Sequence, residues 1–292
     1  MNKGIWYAVG AYTMWGLLPV YWKALQAVPA VQLIGHRVIW SFVLLALVLF
    51  VTRQWKAFRR AALTRRVLLI HLASAVLLAV NWLIYVWAVN ADFIVETSLG
   101  YFINPLLSVL MGVLFLRERL RPWQWFPIGL AAAGVLYLTV AYGSLPWIAL
   151  SLAFTFGTYG LIKKTAPLGS LYGLTLETGL LFVPAIGFLL CMDTLGQGAF
   201  LHSGSLPDLL MAGAGLVTTV PLLMFASAAQ SIPLSLVGVL QYITPTLQFL
   251  AGVLVYGEPF DQARLIGFSI VWLALIIFWL EGRLASRRPV LA

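Results

Sequence analysis

The sequence predicts an all-α integral membrane protein of ten transmembrane helices, arranged as two inverted-topology five-helix repeats. Three observations predict it: a composition suited to a bilayer, about ten apolar runs joined by short connections, and an internal repeat with an odd number of spans. Of 292 residues, 62% are hydrophobic and 9% charged, and the mean hydropathy is +0.97. No domain wetted on all sides carries such a balance. A helix needs about 20 apolar residues to cross about 30 Å of hydrocarbon. Spans are expected at 4–22, 31–51, 67–88, 94–115 and 123–141, then at 145–163, 171–190, 209–228, 234–255 and 263–280. The first run follows Lys3 like a signal peptide, but its counterpart later in the chain assigns it to the mature fold.

The fourth span carries the clearest half of the repeat. Residues 98–120, SLGYFINPLLSVLMGVLFLRERL, return 140 positions later as GVLQYITPTLQFLAGVLVYGEPF, 238–260. Ile103, Pro105, Leu107, Leu110, Gly112, Val113, Leu114 and Glu118 each meet an identical residue. Tyr101, Asn104 and Ser108 share one helix face, and Gln241, Thr244 and Gln248 occupy the same face of the copy. The third and eighth spans correspond at the same offset, where Tyr85 meets Phe225, Ala88 meets Ala228 and Asn90 meets Gln230. At an offset of 141, Trp6 meets Trp147, Gly16 meets Gly157 and Lys23 meets Lys164, which pairs the first and sixth spans. The units are therefore 1–142 and 143–292, each five spans long. An odd number of crossings makes the second unit enter from the opposite face, so the halves are inverted.

Charge placement gives the orientation. With the N-terminus cytoplasmic, 15 of the 18 Lys and Arg fall in cytoplasmic segments, Lys23 and Arg264 fall outside, and Arg37 lies within a span. Both termini are then cytoplasmic. The acids lean outward, at Asp92, Glu96, Asp193, Asp208, Glu258 and Asp261. The net charge of +9 thus belongs to anionic lipid headgroups and not to nucleic acid. Residues 53–66, RQWKAFRRAALTRR, read as a basic amphipathic linker on those headgroups. A single Cys191 excludes an internal disulfide or a Cys-based metal site, and no cofactor or metal is expected. No oligomeric state is implied.

Charged side chains at membrane depth cost at least about 2.5–3.5 kcal/mol, so Arg37 and Glu177 are singled out. They stand 140 residues apart at matching positions of the second and seventh spans. Inversion would set them around a pseudo-two-fold axis, about 10 Å apart in depth. Arg37 then attracts an anionic group, while Glu177 attracts a cation or carries a coupling proton. The alternative is a buried ion pair that locks the halves. Pro105 and Pro245 free the carbonyls of Tyr101 and Gln241, and such groups are tolerated in a bilayer only against protein or a wet cavity. Ser74, Asn81 and Tyr85 make another polar face, and Trp15, Trp82, Trp87, Phe156, Tyr159 and Tyr242 supply ring surface. The candidate solute-binding set is Arg37, Asn81, Tyr85, Tyr101, Asn104, Glu177, Gln241, Tyr242, Thr244 and Gln248, with Glu177 also the coupling residue. Glu118 and Glu258 read as caps for the helices that follow them, His36 as a packed core residue and His71 as interfacial. There is no G-x-x-x-x-G-K-[ST], no H-E-x-x-H and no triad-like spacing, so an enzyme is not expected.

Glu118, Leu120, Gln124 and Gly134, following the fourth span, resemble the EamA-type half of the drug/metabolite transporter superfamily. HRVIWS at 36–41, NWLIYVWAVN at 81–90 and the 98–120 stretch are similar to its RarD branch. The resemblance implies ten helices, a bacterial inner membrane and the transport of a small organic solute. An amphiphile flippase or a non-transporting scaffold remains the other reading of the same spans.

Overall fold

The computed structural model describes residues 3–91, 93–143, 145–255 and 262–286, and every regular element among them is helical. In order these are α1 (Lys3–Lys23), α2 (Ala30–Val51), α3 (Trp55–Ala62), α4 (Arg65–Asn90), α5 (Ile94–Leu116) and α6 (Trp125–Tyr142). There follow α7 (Trp147–Thr165), α8 (Ser170–Thr194), α9 (Ser205–Ser231), α10 (Leu234–Gln241), α11 (Ile243–Leu254) and α12 (Gln262–Ser286). Asp92, Glu258, Asp261, Arg287 and Arg288, and the side chains of Asn90, Glu96 and Arg264, lie outside the described residues.

Eight stretches are long and apolar enough to cross a membrane, α10 and α11 counting as one. The helices at the first and sixth expected spans, α1 and α7, are not among them. Both give residues to the largest buried cluster, Ala8, Ala11 and Tyr12 from α1 and Tyr159 from α7. Polar side chains are tolerated in helices whose neighbours, and not lipid, receive them. α3 is the short helix within the basic linker, and Phe58 and Ala62 hold it against the bundle.

Prolines set several boundaries. Pro29, Pro146 and Pro233 immediately precede α2, α7 and α10, where no intrahelical N–H is yet needed. The two copies of the repeat treat their matching proline differently. α5 runs unbroken through Pro105, whereas α10 ends before Tyr242 and the chain restarts as α11. Pro245 thereby falls in the first turn of α11, where the missing donor costs nothing. α5 ends with Arg117 in the left-handed region (φ 54), and the Glu118 N–H closes back on the Gly112 carbonyl at 3.0 Å.

Three helix pairs form the spine: α2 with α8, α5 with α10, and α6 with α12. α2 and α8 run antiparallel, since Gly35 lies against Leu189 and Gly179 against Phe42. Phe42 meets Phe182 at 4.9 Å between ring centroids, and these two residues stand 140 apart. α5 and α10 are also antiparallel, with Gly112 against Ser235 and Gly238 against Pro105 and Ser108. There the Tyr242 hydroxyl donates to the Phe102 carbonyl at 3.3 Å, again a pair 140 apart. Several other contacts exchange in the same way: α1 packs on α9 as α7 packs on α4, and α1 packs on α10 and α11 as α7 packs on α5.

Candidate functional site

Two polar clusters occupy opposite ends of the bundle. The first lies at the end bearing Arg53, Lys56, Arg59, Arg60, Arg65 and Arg66. His71 is six residues into α4, Glu177 seven into α8, and Lys163 two from the end of α7. At about 1.5 Å per residue, this puts the cluster about 10 Å inside. Glu177 Oε1 accepts hydrogen bonds from Lys163 Nζ at 2.9 Å and Ser74 Oγ at 2.8 Å, and His71 Nδ1 lies 2.9 Å from the same oxygen. The Tyr159 hydroxyl reaches Oε2 at 3.4 Å. Lys163, Glu177, His71, Ser74 and Tyr159 are fully buried. Gly173 makes room for them, because a Cβ there would lie 2.9 Å from His71 Cε1 and 3.1 Å from Lys163 Nζ.

Of the two sequence readings of Arg37 and Glu177, the buried ion pair that locks the halves is the one the structure lacks. Arg37 and Glu177 form no ion pair, and each has its own partners. Each lies seven residues into its helix, and α2 and α8 run antiparallel, so the two charges belong to opposite ends. His71, expected at the interface, is in the buried ion cluster. Lys163 has the length to leave its helix end and reach inward. At an offset of 141 it matches Trp22, which the structure places beside Arg37 in the other cluster.

At that other end Arg37 is half-buried beside two indoles, its Cζ 4.2 Å from the Trp82 ring centroid and 5.1 Å from that of Trp22. Its Nε donates to Thr218 Oγ1 at 3.0 Å. Tyr85 and Tyr101 meet edge to face at 6.2 Å, within electrostatic reach of the guanidinium. Arg37 and Tyr101 are half-buried and Tyr85 is 37% exposed, so the three form a half-open polar and aromatic cluster. Thr218 and Trp22 complete it and were missed from sequence, because only tertiary packing brings α1 and α9 to α2.

The EamA-like transporter family model matches residues 2–140. Protein RarD of Streptomyces exfoliatus is 45% identical over 287 residues, which cover 98% of this chain and 91% of the relative. YojE, an uncharacterized transporter of Bacillus subtilis, is 47% identical over 281 residues, covering 95% and 93%. The chain belongs to the RarD branch of the EamA-like transporter family. A solved crystal structure of a protein 18% identical matches the fold with a TM-score of 0.73, covering 97% of this chain and 99% of its own.

In this RarD chain the other polar candidates are engaged in joining helices. Asn81 Nδ2 donates to the Leu152 carbonyl and to Thr155 Oγ1, both at 2.9 Å, tying α4 to α7. Thr244 donates to the Tyr12 carbonyl at 3.0 Å, and Gln248 donates to that of Trp15 at 3.3 Å. The Trp15 carbonyl is the one that Pro19 deprives of its helical partner. Gln248 thus repairs α1 from α11. Asn104 and Gln241 are buried, and Asn104 Oδ1 has no hydrogen-bond partner among the described residues. Tyr242 is the axial contact with Phe102. Of the aromatic candidates, Trp15, Phe156 and Tyr159 pack with Tyr12 and Phe225 in the core, at ring separations of 5.2 to 6.3 Å. Trp87 instead joins Phe93 and Trp147 and is 49% exposed. Glu118 is a cap, but of a different helix from the one expected. Its carboxylate accepts from the Leu234 N–H at 2.6 Å, the Ser235 N–H at 2.8 Å and Ser235 Oγ at 2.6 Å, at the start of α10.

Proposed function

We propose that this chain is a secondary transporter that carries a small organic solute across the bacterial inner membrane by alternating access. Two inverted five-helix units, 1–142 and 143–292, would rock about a shared two-fold axis. The observation that carries this reading is the self-contact of equivalents: Phe42 touches Phe182 and Phe102 touches Tyr242, each pair 140 residues apart. A residue meets its own copy only near a symmetry axis, and antiparallel pairing there is what inverted repeats require. On this reading α1 and α7 are the first and sixth of ten spans, and the basic end with both termini is cytoplasmic.

The cytoplasmic end is then the sealed one, held by the Glu177 cluster and the Glu118 cap, and the Arg37 cluster faces outward. Arg37, Tyr85 and Tyr101 would receive the solute directly. The helix-joining polar residues would hold the two arrangements of the bundle. Glu177 would serve coupling, because parting it from Lys163 and His71 ties a change of charge to the opening of that end. Uptake into proteoliposomes, screened over organic acids, amino acids, amines and amphenicols, tests the reading. Arg37→Ala is expected to lower uptake of the transported solute by about tenfold or more. Parent-level uptake by that variant would remove the Arg37 cluster from the pathway. Glu177→Gln is expected to abolish uptake driven by an imposed pH gradient, and intact pH-driven uptake would assign coupling elsewhere.

A further inference from the structure

The geometry around Arg37 narrows the solute to a chemical class, and this inference rests on the transport reading above. A guanidinium presents five N–H donors in one plane. Here the rings of Trp22 and Trp82 lie 5.1 and 4.2 Å from the guanidinium carbon, and the Nε–H is taken by Thr218. What remains is the outer edge formed by the two Nη groups. Among the described residues no carboxylate lies within ion-pair distance of Arg37, and no acceptor bonds its Nη groups.

An unpaired cation at membrane depth calls for a compensating anion. Two parallel N–H bonds on one edge match the two oxygens of a carboxylate. With one cation in the cluster the charge balance is met by a monoanion; a phosphate dianion would leave a charge uncompensated. The remaining walls are indole and phenol rings, which favour a flat apolar body beside the carboxylate. A cationic amine is repelled by the same guanidinium.

We propose that the Arg37 cluster binds monoanionic aromatic carboxylates, with Arg37 as the carboxylate receptor and the Trp22, Trp82, Tyr85 and Tyr101 rings as the walls. Binding to purified protein in detergent tests this without any transport step. Three probes of one shape are indole-3-acetate, indole-3-acetamide and tryptamine, read by thermal shift and by equilibrium dialysis of labelled probe. The acid is expected to bind at least about tenfold more tightly than the amide, from the loss of two charge-assisted bonds, and tryptamine more weakly still. Arg37→Gln should bind acid and amide alike, and Arg37→Lys should recover part of the preference through charge alone. Should Arg37→Gln fail to fold, the parent's own ranking of the three probes decides. Equal binding of acid and amide to the parent, or tighter binding of tryptamine, would overturn the proposal. Acid binding without uptake in liposomes would keep this site and sink the transport reading instead.

Discussion

Lys163 is useful because it is fully buried and its ammonium pairs with one carboxylate, that of Glu177. Its ammonium and the Glu177 carboxylate meet at 2.9 Å with almost no exposed surface on either. Lys163→Met leaves a buried carboxylate whose remaining described partners are His71, Ser74 and Tyr159. Breaking such a pair typically costs about 3–5 kcal/mol, whereas replacing both members by apolar residues is often neutral. The single variant is therefore expected to melt well below the parent in detergent, with Lys163→Met, Glu177→Leu recovering most of the loss. Equal melting of the single and double variants would remove the ion pair from the account. Arg121 and Glu281 give the contrasting case. Their two hydrogen bonds, at 2.7 and 2.6 Å, hold Arg121 above the ordinary arginine range, but Arg121 is 50% exposed. Water and salt screen such a pair, so Arg121→Ala should cost under about 1 kcal/mol. The sequence singled out Glu177 but not its lysine. A buried carboxylate requires a cation somewhere, yet nothing local identifies one 14 residues away on another helix.

At the scale of the element, glycine decides how closely helices approach. A Cβ on Gly238 would stand 2.6 Å from the Pro105 carbonyl oxygen and 3.2 Å from the Val109 nitrogen. These are backbone atoms of α5 and cannot swing aside. Gly238→Ala must therefore separate α10 from α5, and overpacking of this kind costs about 1–3 kcal/mol. Gly129 in α6 has nothing within 4 Å of its added Cβ and is exposed. Gly129→Ala should gain up to about 1 kcal/mol from reduced backbone freedom in the unfolded chain. The expected melting order is thus Gly129→Ala above the parent and Gly238→Ala below it, and the reverse order would refute the packing argument. Eight of the ten expected spans were legible as long apolar helices, because apolar runs and flanking prolines are local signals, whereas α1 and α7 carry too much polar character to stand out by composition. The different outcomes at Pro105 and Pro245 were not legible. The two prolines match in sequence, and only the packing around each determines whether the helix continues or restarts.

Over the whole molecule, the 140-residue offset was readable because residues such as Ile103, Pro105 and Gly112 recur at it without a gap. The division of labour between the ends was not, since Arg37 with Trp22 and Glu177 with Lys163 are equivalent positions carrying unlike chemistry. Glu118 gives that division a mechanical meaning. It reaches from the end of α5 to cap α10, supplying a carboxylate to two N–H groups at the positive end of a helix. If the units rock, this latch must part when the basic end opens, while Phe42 and Phe182 near the axis stay together. Paired cysteines in a Cys191→Ser background distinguish the two places. Joining positions 118 and 235 with a short reducible reagent should stop solute uptake, and reduction should restore it. Joining positions 42 and 182 should leave uptake close to that of the unlinked protein, because rotation about an axis barely displaces residues that lie on it. Full uptake with 118 and 235 tethered would mean that the solute passes without this end opening, and rocking about the Phe42–Phe182 contact could not then be how the protein works.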